Sequence, residues 1–281
     1  MSIFRFNPGT RWLFYVVTTV VYLFIFAPIL FVVYASFDPN EVMRFPYSGF
    51  SLRWYREFFS NPVLSMAAWN SVLIAALAGL LATVLGGIAA YSTVRLEFLG
   101  KGVLQAAIAT PMVISKIVLG VALLTLMVRF SLPRGMLSLV LLHALLCLPF
   151  SFVVIWARLR STGRNYEEAA LTLGADDFRT ALEVTVPLLA PALIGSFLLS
   201  VTVSFDEFPA TQFLVTPATQ TMPIQIYSMI QVGVTPTVNV FATVLTAVTI
   251  GLPLIAQLAF GAVQRAWTGR APADDEPRST S

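Results

Sequence analysis

Six long apolar runs, separated by shorter polar segments, form the main pattern along this chain of 281 residues. A helix needs about 20 mostly apolar residues to cross the hydrocarbon core of a bilayer, and each run reaches that length. The pattern therefore predicts an all-α, polytopic membrane protein with six transmembrane helices. The predicted spans cover residues 12–36, 67–94, 103–128, 135–157, 192–214 and 237–262.

The predicted organisation is a single transmembrane domain over residues 12–262, flanked by two short terminal segments. Residues 1–11 form the N-terminal segment, and we expect residues 263–281 to be a disordered tail. The first apolar run, Trp12 to Ser36, is too long for a signal-peptide core and lacks a clear small-residue cleavage site. It is interpreted as a true span, and six spans put both termini on one side of the membrane.

Lysine and arginine are distributed unequally between the two sides of the predicted topology. Eleven of these residues lie on the side of the termini and five on the other side, while Lys116 lies within the third span. Loops rich in Lys and Arg stay in the cytoplasm. Both termini and the polar loop at residues 158–191 are therefore predicted to be cytoplasmic.

Composition agrees with this topology and excludes several classes of function. The chain is 57% hydrophobic and 11% charged, with a mean hydropathy of +0.82, whereas soluble domains are about a quarter charged. The basic residues are dispersed, so the net charge of +3 does not indicate a nucleic-acid partner. The single cysteine, Cys147, and the single histidine, His143, exclude a disulfide framework and paired metal ligands. We expect both to be packing residues of the fourth span.

Enzyme motifs are missing from the sequence. The segment Gly100-Lys101-Gly102 lacks the upstream glycine and the Ser or Thr of a phosphate-binding loop. Neither the H-E-x-x-H motif of zinc proteases nor the G-x-S-x-G motif of serine hydrolases occurs. The chain is therefore predicted not to be an enzyme.

A short amphipathic helix is predicted between the first two spans, starting near Ser51 as its N-cap. Its aromatic side chains fall on one helical face, and its charged ones point away. We expect this helix to lie on the outer leaflet, with a contribution to a docking surface for a soluble partner as the alternative. The aromatic face consists of Trp54, Tyr55, Phe58 and Phe59.

The polar loop at residues 158–191 is predicted to hold two short helices around a break. Gly174 is the expected left-handed C-terminal stop of the first helix, and either Asp176 or Asp177 is expected to cap the second. Pro187 and Pro191 then open the fifth span, where a first helical turn tolerates proline. The first helix carries a small, nearly flat apolar face of Tyr166, Ala169, Ala170 and Leu173. The inner face of the second is predicted to carry Phe178, Ala181 and Leu182.

The loop has the spacing of a known motif: Glu168-Ala169-Ala170, three residues, Gly174, nine residues, and Val184 to Pro187. It resembles the EAA loop of permease subunits of binding-protein-dependent ABC importers, from which only Val184 and Val186 depart. Further runs look like the C-type permease of spermidine/putrescine importers, and the similarity extends from the first span to about residue 262. These runs are Phe50 to Tyr55, Pro111 to Gly120 and Ser204 to Phe208.

The resemblance implies a set of partners and a mechanism. The chain would pair with a second permease, preferably a paralogue rather than a second copy, and with two copies of a cytoplasmic ATPase in a bacterial inner membrane. A periplasmic binding protein would supply the solute, and this chain would bind no cofactor because ATP and Mg²⁺ belong to the ATPase. The implied mechanism is alternating access, driven through the loop. The residues implied in coupling to the ATPase are Tyr166, Glu168, Ala169, Ala170, Leu173, Gly174, Phe178 and Pro187.

The resemblance implies a polyamine as the substrate, with an amino acid, an opine or another small polar solute as the alternative. Relatives commonly carry a proline or an acidic residue near the position of Lys116, so a cation there is a departure. A passive channel is a more distant alternative, since it explains the spans but not the loop.

Three charged residues lie within predicted spans: Lys116, Asp206 and Glu207. A charge at the bilayer centre costs about 2.5–3.5 kcal/mol on insertion scales, so such side chains face a bundle interior or a water-filled cavity. Counting along the third and fifth spans puts Lys116 and Asp206 at similar depth. We expect these residues either to form a buried Lys116–Asp206 ion pair or to line the substrate path, with snorkelling of Lys116 as a third alternative.

Overall fold

The computed structural model describes residues 8–40, 49–233 and 235–268. These residues form helices and turns but no β-strand, which confirms the predicted all-α class. The predicted N-terminal segment, residues 1–11, and the predicted disordered tail, residues 263–281, lie largely outside the described residues. The last helix continues through the first residues of that predicted tail, because it ends at Thr268.

Eleven α-helices are described, joined in places by short π- or 3₁₀-helical turns. The α-helices are α1 (Pro8–Ala35), α2 (Arg53–Ser60), α3 (Pro62–Arg95), α4 (Lys101–Val113), α5 (Lys116–Arg129), α6 (Met136–Ser161), α7 (Asn165–Thr172), α8 (Asp177–Thr180), α9 (Val186–Phe205), α10 (Met222–Val232) and α11 (Pro236–Thr268). The other turns are a π-helical segment, Ala181–Thr185, and two 3₁₀ segments, Thr211–Phe213 and Pro217–Thr219.

Within the described residues, five helical segments are long and apolar enough to cross a membrane, and α4 with α5 makes a sixth if the two count as one span. That pair covers the third span predicted at residues 103–128. The two helices meet at an angle of 107°, because Ile114 and Ser115 between them have extended backbone, with ψ angles of 137° and 131°. The third span, predicted with interruptions at Pro111 and Lys116, is thus broken immediately before Lys116.

The helix of the fifth span begins and ends earlier than the prediction, which put the span at residues 192–214. An unbroken helical segment runs from Asp177 to Phe205, so the second short helix of the EAA loop is its first turn. Pro187 lacks an N–H and crowds the carbonyl group four residues earlier, and a π-helical turn at Ala181–Thr185 accommodates it. The helix ends four residues before Pro209, as chains commonly do ahead of a proline.

The described residues group into two compact units. One unit takes its residues from Met1–Ala68 and Met222–Thr246, and the other from Trp69–Thr221 and Ala247–Ser281. The predicted single domain over residues 12–262 remains a prediction.

In the first unit, α2 is present, but its N-cap is Leu52 and not the predicted Ser51. The aromatic face of α2 packs partly on the protein itself. Trp54 is buried and donates a hydrogen bond from Nε1 to the Asp38 carbonyl oxygen at 2.7 Å. Phe58 is buried edge-to-face against Phe241, with ring centroids 4.7 Å apart. Phe59, which follows Phe58 in the chain, stays exposed. Tertiary contacts rather than a lipid surface therefore cover most of the aromatic face.

In the second unit, α6 and α9 form the main packed helix pair. Small polar side chains lie between them: Ser151 and Ser200 share a hydrogen bond of 2.7 Å, and the Cys147 thiol donates to the Ser200 carbonyl oxygen at 3.3 Å. Small residues permit close helix approach in membranes, and hydroxyl groups hold the helices together. Cys147 is therefore a packing residue, as expected.

Candidate functional site

The break in the EAA loop is a helix stop built around Gly174. Its φ of +92° is the left-handed conformation that glycine adopts most readily. The Gly174 N–H donates to the Leu171 carbonyl oxygen at 3.0 Å, and the Ala175 N–H donates to that of Ala170 at 3.1 Å. These two bonds form a Schellman motif, so the predicted left-handed stop is confirmed. Asp176 is the residue that caps α8, accepting from the Arg179 N–H at 2.7 Å.

The predicted apolar face of α7 is open to its surroundings. Tyr166 is 64% exposed and Leu173 is 89% exposed, while Ala169 is exposed and Ala170 is half-buried. Such a face presents small side chains between two large ones, which allows another protein's backbone to approach closely.

The predicted inner face of α8 was wrong in part. Phe178 is 74% exposed and Leu182 is also exposed, whereas Thr180 is buried. α8 continues into the fifth span as one helical segment. The side of this segment that is buried against the rest of the chain carries Thr180 and Thr185. Phe178 instead joins the exposed side of the loop.

A buried ion pair, which the sequence did not reveal, fixes the loop to the end of α3. The Arg95 Nε atom lies 2.9 Å from Glu167 Oε2, and the two side chains are only 7% and 11% exposed. Thr185 Oγ1 donates to Glu167 Oε1 at 2.9 Å, and Arg95 also donates to the Thr162 carbonyl oxygen at 3.2 Å. Glu167 thereby connects α3, α7 and the start of the fifth span, whereas its neighbour Glu168 is exposed.

The intramembrane ion pair joins Lys116 to Glu207 and not to Asp206, so the predicted partner was wrong. Lys116 Nζ lies 2.7 Å from Glu207 Oε2, and the side chains are 47% and 1% exposed, respectively. Counting along a continuous helix put Asp206 nearest, but α9 ends at Phe205 and the chain turns. Asp206 is the exposed C-cap of α9. No ion pair joins Asp206 to any residue that the structure describes.

The turn after α9 is held tightly against α5 and α6. Glu207 Oε1 accepts from the Ala210 N–H at 2.9 Å. His143 Nε2 lies 2.9 Å from Thr211 Oγ1, and its Nδ1 lies 2.7 Å from Ser204 Oγ. His143 was expected to be a packing residue, and it is buried, but it also links the last turn of α9 to the segment that follows.

Glycine makes the contact of this turn with α5 possible. A Cβ atom at Gly120 would lie 2.8 Å from the Ala210 carbonyl oxygen and 2.8 Å from Phe213 Cδ2. Real Cβ atoms do not come that close, so only glycine lets the backbone of the turn reach α5.

Two spans thus lose their helical backbone beside the same ion pair: α4–α5 next to Lys116, and α9 next to Glu207. Non-helical backbone at membrane depth is tolerated only where it is buried in protein or lines a water-filled cavity. Asp206 is exposed and Lys116 is half-exposed. Because bare charges in lipid are costly, these side chains are expected to face a water-filled cavity or another protein chain and not lipid. Among the described residues no group of three His, Cys, Asp or Glu side chains could hold a metal ion.

Residues 82–268 match the family described as "Binding-protein-dependent transport system inner membrane component". The chain belongs to this family. Its members are the permease subunits of ABC importers, as the EAA spacing and the six-span pattern predicted. The chain is therefore a multi-pass permease subunit.

Two relatives carry polyamines in their names. The spermidine/putrescine transport system permease protein PotC of Haemophilus influenzae is 35% identical over 239 residues, which are 85% of this permease and 93% of that protein. The putrescine transport system permease protein PotI of Escherichia coli K12 is 34% identical over 231 residues, which are 80% and 82% of the two chains.

Solved structures agree in fold. A crystal structure of a bacterial ABC transporter involved in the import of the acidic polysaccharide alginate matches with a TM-score of 0.67 and 18% identity, covering 92% of this permease and 98% of that chain. A structure of the bacterial alginate ABC transporter in complex with an alginate pentasaccharide-bound periplasmic protein matches with a TM-score of 0.65 and 15% identity, covering 94% and 97%. At these identities the likeness establishes the fold alone.

Proposed function

We propose that this permease is one half of the translocation path of a polyamine importer, with spermidine or putrescine as its substrate. The observation that carries the proposal is the match to two polyamine permeases at 35% and 34% identity over most of the chain. The charge of the site supports it. Asp206 is exposed at the C-terminal end of α9, where the helix dipole is negative. Both the carboxylate and the dipole therefore favour a cation at this position.

The partners follow from the family and from the shape of the EAA loop. A second permease, preferably a paralogue, completes the path, and a periplasmic binding protein delivers the solute. Two cytoplasmic ATPase subunits bind ATP and Mg²⁺, so this chain holds no cofactor of its own. The protein lies in the bacterial inner membrane with both termini and the EAA loop in the cytoplasm, in agreement with the distribution of Lys and Arg.

The exposed side of the loop is the docking surface for the ATPase. Ala169 and Ala170 let the ATPase backbone approach, while Tyr166, Leu173 and Phe178 are exposed apolar side chains that gain by being covered. Glu167 keeps this surface fixed to α3 through Arg95. Closure of the ATPase pair on ATP would move the loop, and the attached fifth span would reorient the cavity in alternating access.

Replacement of Ala170 by aspartate tests the docking surface. A buried unpaired carboxylate is costly, so Ala170→Asp should abolish both ATPase co-purification and transport while leaving membrane insertion intact. Thr172→Asp is the matched control, because Thr172 lies on α7 outside the apolar face and is already exposed. Retained ATPase binding by the Ala170 variant would contradict the assignment of this surface.

Uptake by the complete importer in proteoliposomes tests the substrate. With saturating binding protein and ATP, we expect labelled putrescine and spermidine to accumulate, and unlabelled amino acids in large excess not to compete. Accumulation of an amino acid or an opine with neither polyamine transported would overturn the polyamine assignment and leave the family assignment unaffected.

A further inference from the structure

The ion pair of Lys116 and Glu207 is not explained by helix stability. Lys116 is the first residue of α5, where the dipole is positive and a cation is unfavourable. Its Nζ atom nevertheless lies 2.7 Å from Glu207 Oε2, and Glu207 is 1% exposed. Lys116 therefore acts as the counter-ion of Glu207, because a fully buried carboxylate without a counter-ion is strongly destabilising.

The lysine also changes what the surface presents to a solute. Lys116 remains 47% exposed while it pairs with Glu207, and Asp206, next to Glu207 in the chain, is exposed. One cation and two carboxylates leave the cluster with a net charge of −1. Without the lysine the same carboxylates could carry −2, but the buried Glu207 would then stay ionised only with a solute cation as its counter-ion.

We propose that Lys116 is a specificity-determining residue, a built-in counter-ion that occupies Glu207 and leaves Asp206 as the carboxylate open to a cationic solute. This inference rests on the proposed function as a polyamine permease. The lysine limits how strongly the path favours solutes with many positive charges. It thereby shifts selectivity away from spermidine, which has three ammonium groups, towards putrescine, which has two.

The physical basis is that a charge in the cluster acts on a solute in proportion to the solute's own charge. At about 8 Å in water-like surroundings, one unit of charge changes the equilibrium of a singly charged group by roughly twofold. Spermidine carries one charge more than putrescine. Each unit of cluster charge should therefore change the ratio of spermidine to putrescine transport by about twofold, whereas a change in the amount of protein leaves the ratio unaltered.

Four variants of the complete importer form a charge series. Lys116→Met gives the cluster −2 once a solute ammonium group replaces the lysine and keeps Glu207 ionised. Glu207→Gln gives 0, and the double variant Lys116→Met, Glu207→Gln returns the cluster to −1 without an ion pair. Lys116→Arg keeps the charge and is the conservative control. Initial rates for spermidine and for putrescine are measured in proteoliposomes with saturating loaded binding protein, and their ratio is compared with that of the wild type.

The spermidine-to-putrescine ratio should rise about twofold in Lys116→Met and fall about twofold in Glu207→Gln. It should return to the wild-type value in the double variant and stay there in Lys116→Arg. If Glu207→Gln does not assemble, the Lys116→Met and double variants still decide the outcome. A fixed ratio with both rates reduced together would overturn the proposal, since that is the result of a purely structural pair. A wild-type importer that moves neither polyamine would instead overturn the proposed substrate.

Discussion

Glu167 and Glu168 are chemically identical neighbours that the fold uses differently. Glu167 is buried against Arg95 and Thr185, whereas Glu168 is exposed on α7. Removing one partner of a buried pair leaves an uncompensated charge, while removing an exposed charge costs little. The glutamate of the E-A-A pattern is thus the exposed one, and the residue before it fixes the loop in place.

Glu167→Gln should therefore lower the stability of the permease, by about 3 kcal/mol, because Arg95 stays buried without a counter-ion. Glu168→Gln is the matched control and should leave stability almost unchanged. Thermal unfolding of the detergent-solubilised complex measures both. The double variant Arg95→Met, Glu167→Met removes both charges and should regain much of the lost stability. Equal stability of Glu167→Gln and Glu168→Gln would contradict the role given to the ion pair.

Gly174 contributes through its backbone. A side chain in the left-handed conformation costs roughly 1 kcal/mol or more, so Gly174→Val should distort the Schellman motif and loosen the joint between α7 and α8. We expect substrate-stimulated ATP hydrolysis by the complete importer to fall more than basal hydrolysis. Gly163→Val, in the same loop but without a positive φ, should spare both activities. An equal loss of both activities in the Gly174 variant would point to misassembly instead.

At the scale of elements, the contact of α5 with the turn after α9 depends on one missing Cβ atom. Gly120→Ala forces that atom against Ala210 and Phe213, and overpacking of this kind typically costs about 1–3 kcal/mol. We expect a lower unfolding temperature and weaker transport. Gly195→Ala on α9 is the control, because a Cβ atom there meets nothing within 4 Å. If the two variants unfold alike, the close approach is not important for stability.

The elements that the sequence predicted well are those whose signals are local. Apolar runs of sufficient length indicated the spans, and Gly174 followed by Asp176 indicated the stop and the cap of the EAA loop. Both signals act within a few residues, so they do not depend on what the segment packs against.

The remaining features depend on contacts between distant segments. The end of α9 at Phe205 put Glu207 rather than Asp206 beside Lys116. Hydropathy did not reveal this end, because Phe208, Phe213 and Leu214 extend the apolar pattern beyond the two carboxylates. Pro209 was the available signal, since helices commonly end before the residue that precedes a proline. No such signal in the sequence shows which of Glu167 and Glu168 is buried. The buried one is determined by the ion pair with Arg95, which lies far away in the sequence.

At the scale of the whole molecule, one helical segment mechanically joins the EAA loop to the charged cluster. The segment from Asp177 to Phe205 has 29 residues, about 44 Å at 1.5 Å per residue. One end carries Phe178 on the proposed ATPase-docking surface, and the other carries Asp206 and Glu207. A rigid rod of this kind transmits displacement from one end to the other, whereas a flexible joint within it would absorb the displacement.

Insertion of two glycines between Thr185 and Val186 tests this transmission. Glycine destabilises a helix by about 1 kcal/mol per residue, and the insertion also rotates the two halves of the rod by half a turn or more. We expect the ATPase to remain bound through α7, ATP hydrolysis to persist, and transport to fall at least tenfold. The same insertion after Leu99, in an exposed loop between α3 and α4, should be tolerated. Retained transport by the first variant would show that the loop reaches the cavity through another element, and the natural candidate is α3 through Arg95 and Glu167.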